Sequence, residues 1–232
     1  MTAGPDPVRS DPVGHDPRRG RLIVLAGPSG VGKSSVVAGL RTALPELYFS
    51  VSATTRDARA GEVDGRDYRF VGPAGFVELV ARGDLLEWAE IHGGLQRSGT
   101  PRVPVEEALA AGRPVLVEVD RQGARAVKAA MPESVTVFLA PPSFDELVRR
   151  LRGRGTETDA QLARRIQTAQ EEIASCHEFD VVVVNDDLQT VVGRLVDLLV
   201  GPGSGAAVPQ NTGSQNGAAV PAGAPPTTGV PE

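Results

Sequence analysis

One segment, GPSGVGKS, restricts the possible folds of this chain more than any other. It runs from Gly27 to Ser34, has the spacing G-x-x-x-x-G-K-[ST], and lies between the apolar run RLIVLAG and the helical pattern KSSVVAGLRTAL. A strand that leads through a glycine-rich turn into a helix directs backbone N–H groups and the positive end of the helix dipole at one point, where phosphate groups bind. The segment predicts an α/β fold with a phosphate-binding loop.

The residues of this loop have separate expected tasks. Glycine allows backbone conformations and a close approach that a Cβ would block. Lys33 can reach the β- and γ-phosphates of a nucleoside triphosphate, and the Ser34 hydroxyl can bind Mg²⁺. We therefore expect the triphosphate to contact Gly27, Pro28, Ser29, Gly30, Val31, Gly32, Lys33, Ser34 and Ser35.

The rest of the chain between residues 21 and 200 supports this fold class. RLIVLAG, PVLVEVD, SVTVFLA and DVVVVN are continuously apolar, as is typical of strands buried on both faces of a parallel sheet. Helical patterns separate or follow them, including PVEEALAAG, TDAQLARRIQTAQEEIA and DLQTVVGRLVDLLV. In SFDELVRRLRG, Ser143 and Glu146 have the spacing of a capping box. This alternation predicts a parallel core sheet flanked by helices, with ligands at the carboxyl ends of the strands.

Composition excludes some classes of protein. The chain has 232 residues, 41% of them hydrophobic, which suits one globular domain. Its net charge of -5 argues against nucleic acid as a partner, because such binding needs a basic surface. No run approaches the roughly 18 apolar residues that span a bilayer, so we expect no membrane span. With one cysteine, Cys176, and no apolar N-terminal run, we expect a cytoplasmic location.

Both ends have the composition of disordered segments. Residues 1–20 repeat Asp-Pro, and residues 201–232 are rich in Gly, Pro and Ala, with Glu232 as their only charge. Such segments bury too little apolar surface to offset the entropy of ordering. They are either tethers for a partner or solvated appendages, and composition favours the second. The predicted folded body is residues 21–200.

A second group of phosphate-binding side chains follows the strand-like segment FSVSATT. The segment SATTRDARAGEVDGRDYRF contains Arg56 and Arg59 three residues apart, and Tyr68. Arginine can bind a phosphate through two N–H groups, and the hydroxyls of Ser52, Thr55 and the tyrosine add polar contacts. This composition indicates a second anion site; a solvated charged loop is the alternative.

Six segments resemble the guanylate kinase family in order and spacing and cover residues 21 to about 200. They are GPSGVGKSS, VSATTRDARAGEVDGRDYRF, LLEWAE, VLVEVDRQGA, RLRGRGTET and VVVVNDD. The resemblance implies transfer of the γ-phosphoryl group of ATP, bound with Mg²⁺, to GMP, with dGMP as a further acceptor. It also implies three parts: a core with the phosphate loop, a small GMP-binding domain over about 52–101, and a helical lid over about 143–175.

The resemblance assigns roles to individual residues. It implies that the GMP phosphate is held by Arg56, Arg59 and Tyr68. It implies that the guanine or its surroundings are contacted by Ser52, Glu87, Thr100 and Asp120. It implies that the ATP phosphates are covered by Arg150, Arg154 and Arg165, with Asn185 in the ATP site. With Lys33, these arginines are the expected catalytic residues. A carboxylate complements the N1 and N2 donors of guanine, which adenine lacks.

Two positions depart from the family pattern. The segment GGLQRSGT has two extra residues and no tyrosine, and we expect Arg97, one residue before the aligned Ser98, to reach the GMP phosphate in its place. The alternative is that Arg97 is solvated. Glu118 stands where the family commonly has Asp, and is expected as an outer-shell partner of Mg²⁺. His92 and His177 lack the spacing of a metal site.

Two other functions stay open at this point. One is a phosphate-loop kinase with a different phosphorylated acceptor, such as the ribose bisphosphate phosphokinases. The other is a guanylate-kinase-like scaffold domain that binds phosphopeptides without catalysis; the intact Gly32, Lys33 and Ser34 argue against it. The sequence does not distinguish a monomer from a homo-oligomer.

Overall fold

The computed structural model describes residues 18–91, 93–153 and 158–201. Its strands are β1 (Leu22–Ala26), β2 (Tyr48–Phe49), β3 (Ala53–Thr54), β4 (Arg69–Phe70), β5 (Leu85–Ile91), β6 (Gln96–Pro101), β7 (Val115–Glu118), β8 (Val135–Ala140) and β9 (Val181–Val184). Its helices are α1 (Lys33–Ala43), α2 (Gly72–Arg82), α3 (Arg102–Ala110), α4 (Arg121–Ala130), α5 (Phe144–Arg152), α6 (Asp159–Ala174) and α7 (Leu188–Val200).

The central sheet has the strand order β2-β7-β1-β8-β9, and all its strand pairs are parallel. The four strands predicted from continuous apolar runs are all part of it, so that prediction is confirmed. Helices cover both faces. In β1, Ile23 and Leu25 pack in the core shared with α1 and α7, whereas Val24 and Ala26 pack in the core shared with α3 and α4. Burial on both sides explains why these strands lack alternating polar residues.

A second sheet, with the order β4-β3-β6-β5, lies over residues 53–101. β5 and β6 form an antiparallel hairpin, and α2 covers one face through the fully buried Phe76. The strand-like segment FSVSATT is divided between the two sheets. Tyr48 and Phe49 pair with β7 of the central sheet, whereas Ala53 and Thr54 pair with β4 and β6. The chain passes from one sheet to the other between β2 and β3.

Helices α5 and α6 form a unit that we call the lid. The Ser143 hydroxyl caps α5 by accepting from the Glu146 N–H at 3.1 Å. The reciprocal half of the predicted capping box is not made, because the Glu146 carboxylate instead accepts from Arg149 and Arg150. A complete capping box stands at the start of α6, between Thr158 and Gln161.

The ends of the chain, residues 1–17 and 202–232, lie outside the described residues, so their predicted disorder stays a prediction. Residues 18–20 belong to the folded body. The Gly20 N–H donates to the Leu109 carbonyl at 2.8 Å, and Arg19 forms an ion pair with Glu133. The body therefore begins before the predicted boundary at residue 21. Among the helices that the structure describes, none has the length and apolar character needed to cross a membrane.

Candidate active site

The phosphate loop, Gly27–Ser34, joins the carboxyl end of β1 to the start of α1. Gly32 caps the helix with a φ of 105° in the left-handed region, and a Cβ there would lie 2.6 Å from the Asn185 amide nitrogen. Only glycine satisfies both constraints without strain. Within the described residues, no hydrogen bond occupies the backbone N–H groups of Gly30, Gly32, Lys33 and Ser34. These donors remain for an anion at the helix N-terminus.

The Lys33 side chain lies over this loop. Its ammonium donates to the Gly27 carbonyl at 2.7 Å and to the Pro28 carbonyl at 3.4 Å. Burial lowers the pKa of Lys33, while the carboxylates of Glu118 and Glu172 oppose that shift. The loop thus carries an enclosed cation beside the free N–H groups.

Glu118 and Glu172 lie near this ammonium from different elements. Burial raises the pKa of each carboxyl group, and the Lys33 charge opposes the rise. Glu172 was missed at the sequence level. The available signal was its position seven residues after Arg165 on α6, since a spacing of two turns puts both side chains on one helix face.

Two of the predicted lid arginines reach the phosphate loop. Arg150 donates to the Val31 carbonyl at 3.2 Å, and Arg165 donates to the Ser29 hydroxyl at 2.8 Å. Asn185, which follows β9, donates to the same Val31 carbonyl at 2.7 Å. The third predicted arginine, Arg154, lies outside the described residues. The structure therefore brings two guanidinium groups and a buried amide onto the loop from the lid and from β9.

One face of the second sheet carries the other predicted binding residues. In β-strands, directly opposed residues share a face and neighbours along the chain alternate. The register of β3, β4, β5 and β6 therefore defines a site face. Its members are Ser52, Thr54, Tyr68, Phe70, Glu87, Ser98 and Thr100. The opposite face packs against α2, where Phe76 meets Trp88.

Glu87 and Thr100 form the polar pair of the site face. The Thr100 hydroxyl is almost completely buried and donates to the Glu87 carboxylate at 2.6 Å. Burial raises the pKa of Glu87; the Thr100 hydrogen bond opposes the rise, and the nearby charge of Asp120 adds to it. A carboxylate with one oxygen already bonded to a hydroxyl, and with a further oxygen to offer, can accept from paired N–H donors of a base.

Arg56 lies at the edge of this face, against two rings. Its guanidinium carbon is 4.7 Å from the ring centre of Tyr68 and 5.4 Å from that of Phe70, which is cation–π contact. Its charge is paired with the Glu62 carboxylate at 2.6 Å. Arg59 is exposed nearby, and its backbone N–H donates to the same carboxylate. The arginines of the predicted second anion site therefore do lie together.

The structure places Arg97 on the face of the hairpin opposite the one that carries Glu87, which does not favour the expected contact with GMP. Arg97 is opposed to Glu90 across the hairpin, donates to that carboxylate at 3.1 Å, and lies over the Trp88 ring. All three side chains are on the face that packs against α2, so Arg97 points away from Glu87. Because alternate residues change face, it is the neighbouring Ser98 that points to the site.

Asp120 lies between the two groups of residues. It caps α4, and its carboxylate accepts from the Gly123 N–H at 2.8 Å. Burial is the main cause of the raised pKa of both Glu87 and Glu172, and the negative charge of Asp120 raises each pKa further. The phosphate loop and the site face therefore border one cleft, at the carboxyl ends of β1 and β7.

No metal-binding cluster of three His, Cys, Asp or Glu residues occurs among residues 18–91, 93–153 and 158–201. His177 is exposed, and its Nδ1 lies 2.9 Å from the Ala174 carbonyl. His92 lies outside the described residues.

A loop of this kind at the end of a parallel sheet, overhung by arginines and facing a second polar site, defines a class of protein. Proteins that hold one set of phosphates in this way and a second substrate opposite are P-loop kinases. This chain is one of them.

Comparisons with known proteins identify the family. The guanylate kinase family model matches residues 19–200. The chain is 63% identical over 187 residues to the guanylate kinase of Nocardia farcinica, covering 81% of this chain and 97% of that protein. It is 64% identical over 182 residues to the guanylate kinase of Mycobacterium sp. (strain MCS), covering 78% of this chain and 92% of that protein. The crystal structure of guanylate kinase from Anaplasma phagocytophilum matches with a TM-score of 0.60 and 32% identity, over 78% of this chain and 85% of that one. The chain belongs to the guanylate kinase family.

Proposed function

We propose that this protein transfers the γ-phosphoryl group of ATP to GMP, giving ADP and GDP. The observation that carries the proposal is the Glu87–Thr100 pair, a half-buried carboxylate bonded to a buried hydroxyl, in the same cleft as the phosphate loop. Guanine offers two N–H donors to a carboxylate. Adenine offers no such pair, and its binding would leave the carboxylate oxygen that Thr100 does not occupy without a donor, which costs about 1–3 kcal/mol.

The phosphate loop is the proposed ATP site. Its free N–H groups would bind the β- and γ-phosphates, and Lys33 would exchange its contacts with the loop carbonyls for phosphate oxygens. Arg150 and Arg165 already contact this loop, so they are positioned to neutralise the negative charge of the transferring group. Closure of the lid over the cleft would also exclude water.

The residues present suit Mg²⁺, which prefers oxygen ligands and keeps several waters. The Ser34 hydroxyl is exposed and makes no hydrogen bond among the described residues, and the Glu118 carboxylate lies near Lys33 at the end of β7. Ser34 would bind the ion directly and Glu118 through water. When bound, Mg²⁺ supplies positive charge to the phosphate oxygens.

The GMP phosphate would lie beside Arg56, Arg59 and Tyr68, with an oxygen facing the γ-phosphorus of ATP. A phosphate oxygen is already nucleophilic at neutral pH, so no general base is required. The chain's contribution is then to position both substrates and to balance their charge. Ser98, on the site face, offers a hydroxyl in place of the family tyrosine.

An acceptor panel tests the proposal. With ATP and Mg²⁺, a coupled assay of ADP release should show turnover with GMP and, at a lower rate, with dGMP. It should show little or none with AMP, UMP or CMP. Turnover of ribose 1,5-bisphosphate in preference to GMP would favour the ribose bisphosphate kinases. GMP binding without turnover would favour a scaffold domain.

The raised pKa of Glu87 predicts how GMP affinity changes with pH. Only the ionised carboxylate accepts from both guanine donors, so KM for GMP should rise as the pH falls through the pKa of Glu87. Because burial raises that pKa, the loss begins at a higher pH than for an ordinary glutamate, whose pKa is 4.5. The control is Glu87→Gln: the GMP phosphate titrates in the same way with this variant, but residue 87 no longer titrates. If KM for GMP depended on pH identically in the wild type and in Glu87→Gln, Glu87 would not be the residue that binds guanine.

A further inference from the structure

The half-buried Glu62 carboxylate accepts more hydrogen bonds than a carboxylate in a loop usually does. Its two oxygens accept from Arg56 Nη1 at 2.6 Å and Arg56 Nη2 at 2.7 Å. A third donor is the Arg59 backbone N–H, at 2.8 Å. The Arg56 hydrogen bonds, followed by that of Arg59, lower the pKa of Glu62 to about 2. Glu62 therefore stays ionised at every pH at which the protein is assayed.

These contacts fix the orientation of the Arg56 guanidinium. The end of the group, formed by Nη1 and Nη2, is bound to Glu62, and the other N–H of Nη1 donates to the Asp57 carbonyl at 2.9 Å. Its plane lies against the rings of Tyr68 and Phe70. Two N–H groups remain, one on Nε and one on Nη2. They form the side edge of the guanidinium, which is itself a fork that matches two phosphate oxygens.

No carboxylate or carbonyl in the described part of the chain accepts from this side edge. The guanidinium also has a hydrogen-bond interaction with the Tyr68 hydroxyl, which is itself a proposed contact of the GMP phosphate. We propose that Glu62 is a positioning residue that holds Arg56 so that its side edge faces the 5′-phosphate of GMP. This inference rests on the proposed function. Glu62 does not touch the substrate; it acts through Arg56.

The alternative role for Glu62 is that of a competing anion, which GMP must displace. The loop geometry argues against it. The Glu62 N–H donates to the Arg59 carbonyl at 3.0 Å while the Glu62 carboxylate accepts from the Arg59 N–H. Displacing the side chain would break three hydrogen bonds at once, although no carboxylate of the described residues blocks the side edge of Arg56. The two roles predict changes of opposite sign in KM for GMP when Glu62 is replaced.

The experiment measures GMP binding and turnover in the full chain with Glu62→Ala and Glu62→Gln. With Arg56 no longer held, we expect KM and Kd for GMP to rise about 10- to 100-fold in Glu62→Ala, the scale of one charge-assisted hydrogen bond. Glu62→Gln keeps the shape and one acceptor, so its rise should be smaller. The turnover number at saturating GMP and KM for ATP should stay within about twofold, because the phosphate loop is untouched.

The matched control is Asp67→Asn. Asp67 is a carboxylate of the same loop that also accepts from a backbone N–H, that of Val63, and from an arginine, Arg66, but it has no contact with Arg56. This variant should bind GMP as the wild type does. Guanosine, which lacks the phosphate, should bind equally to the wild type and to Glu62→Ala. Melting temperatures of all variants report any loss of folding.

Four outcomes would overturn the inference. A lower KM for GMP in Glu62→Ala would mean that Glu62 competes with the GMP phosphate for Arg56. An unchanged KM would mean that Arg56 keeps its position without Glu62. If Glu62→Ala weakened the binding of GMP and guanosine equally, the loop would be disturbed in general. The same would hold if Asp67→Asn weakened GMP binding as much as Glu62→Ala does. If the wild type itself shows no GMP turnover, the proposed function fails instead.

Discussion

Replacing Lys33 with alanine is expected to lower the rate of phosphoryl transfer by about a thousandfold or more. The ammonium lies over the phosphate loop, within 2.7 Å of the Gly27 carbonyl, where an ATP phosphate would take over its contacts. Removing a fixed charge beside the transferring group takes away stabilisation that grows as the transition state forms. GMP binding should be nearly unchanged, because the site face is formed by the other sheet. Steady-state rates and calorimetric titration with GMP measure the two effects separately.

The chain provides its own control for this variant. Its only other lysine is Lys128, in the last turn of α4, whose ammonium pairs with Asp180 at 2.9 Å. Lys128→Ala should keep the wild-type turnover, whatever it does to the melting temperature. A Lys33→Ala protein that retained a tenth or more of the wild-type rate would contradict the mechanism.

Replacing Glu87 with glutamine should lower kcat/KM for GMP by about 10- to 100-fold. The substitution keeps the size of the side chain but turns an acceptor oxygen into an N–H donor, which then faces the N1 and N2 donors of guanine. A hydrogen bond to a charged group is worth about 1.5–3 kcal/mol, and the buried site strengthens the mismatch. The preference for GMP over AMP should narrow, while KM for ATP stays the same. Kinetics with each acceptor varied in turn measure this.

Glu90→Gln is the matched control, since Glu90 lies three residues further along the same strand. Its side chain is on the face that packs against α2 and pairs with Arg97. We expect no change in acceptor preference there. If both substitutions alter the ratio of GMP to AMP equally, the effect comes from the hairpin as a whole and not from a contact with guanine.

The core of the fold could be predicted because its signals are local. The phosphate loop needs a strand, a glycine-rich turn and a helix in direct succession, and continuous apolar runs mark strands buried on both faces. Helices α2 and α4 were not predicted. α2 contains Gly72, Pro73 and Gly75, which lower its intrinsic helical preference. α4 has Gly123 in its first turn but consists mostly of Ala, Arg, Gln and Lys, which favour a helix, so its signal was present and was missed. Packing of Phe76 and Val127 into the cores stabilises both helices.

The sequence does not contain the physical reason why Arg97 lies on the face opposite Glu87. An arginine next to the aligned serine is close to the site along the chain, but successive residues of a strand point to opposite faces. Which face is which depends on the register of the hairpin and on its irregularity between Leu85 and Glu87. A shift of one residue would exchange the positions of Arg97 and Ser98.

The sequence by itself determined the phosphate loop, the strands of the central sheet and, through the family resemblance, which side chains to seek in the cleft. The loop and the strands depend on residues that are neighbours along the chain, and the family resemblance depends on motifs that can be recognised by their residue types and spacing. Only the tertiary structure decided that Glu172 lies near Lys33, that Glu62 holds Arg56, and that Arg97 points away from Glu87. These relations depend on helix packing, loop closure and strand register, which bring distant residues together through contacts that no local pattern specifies.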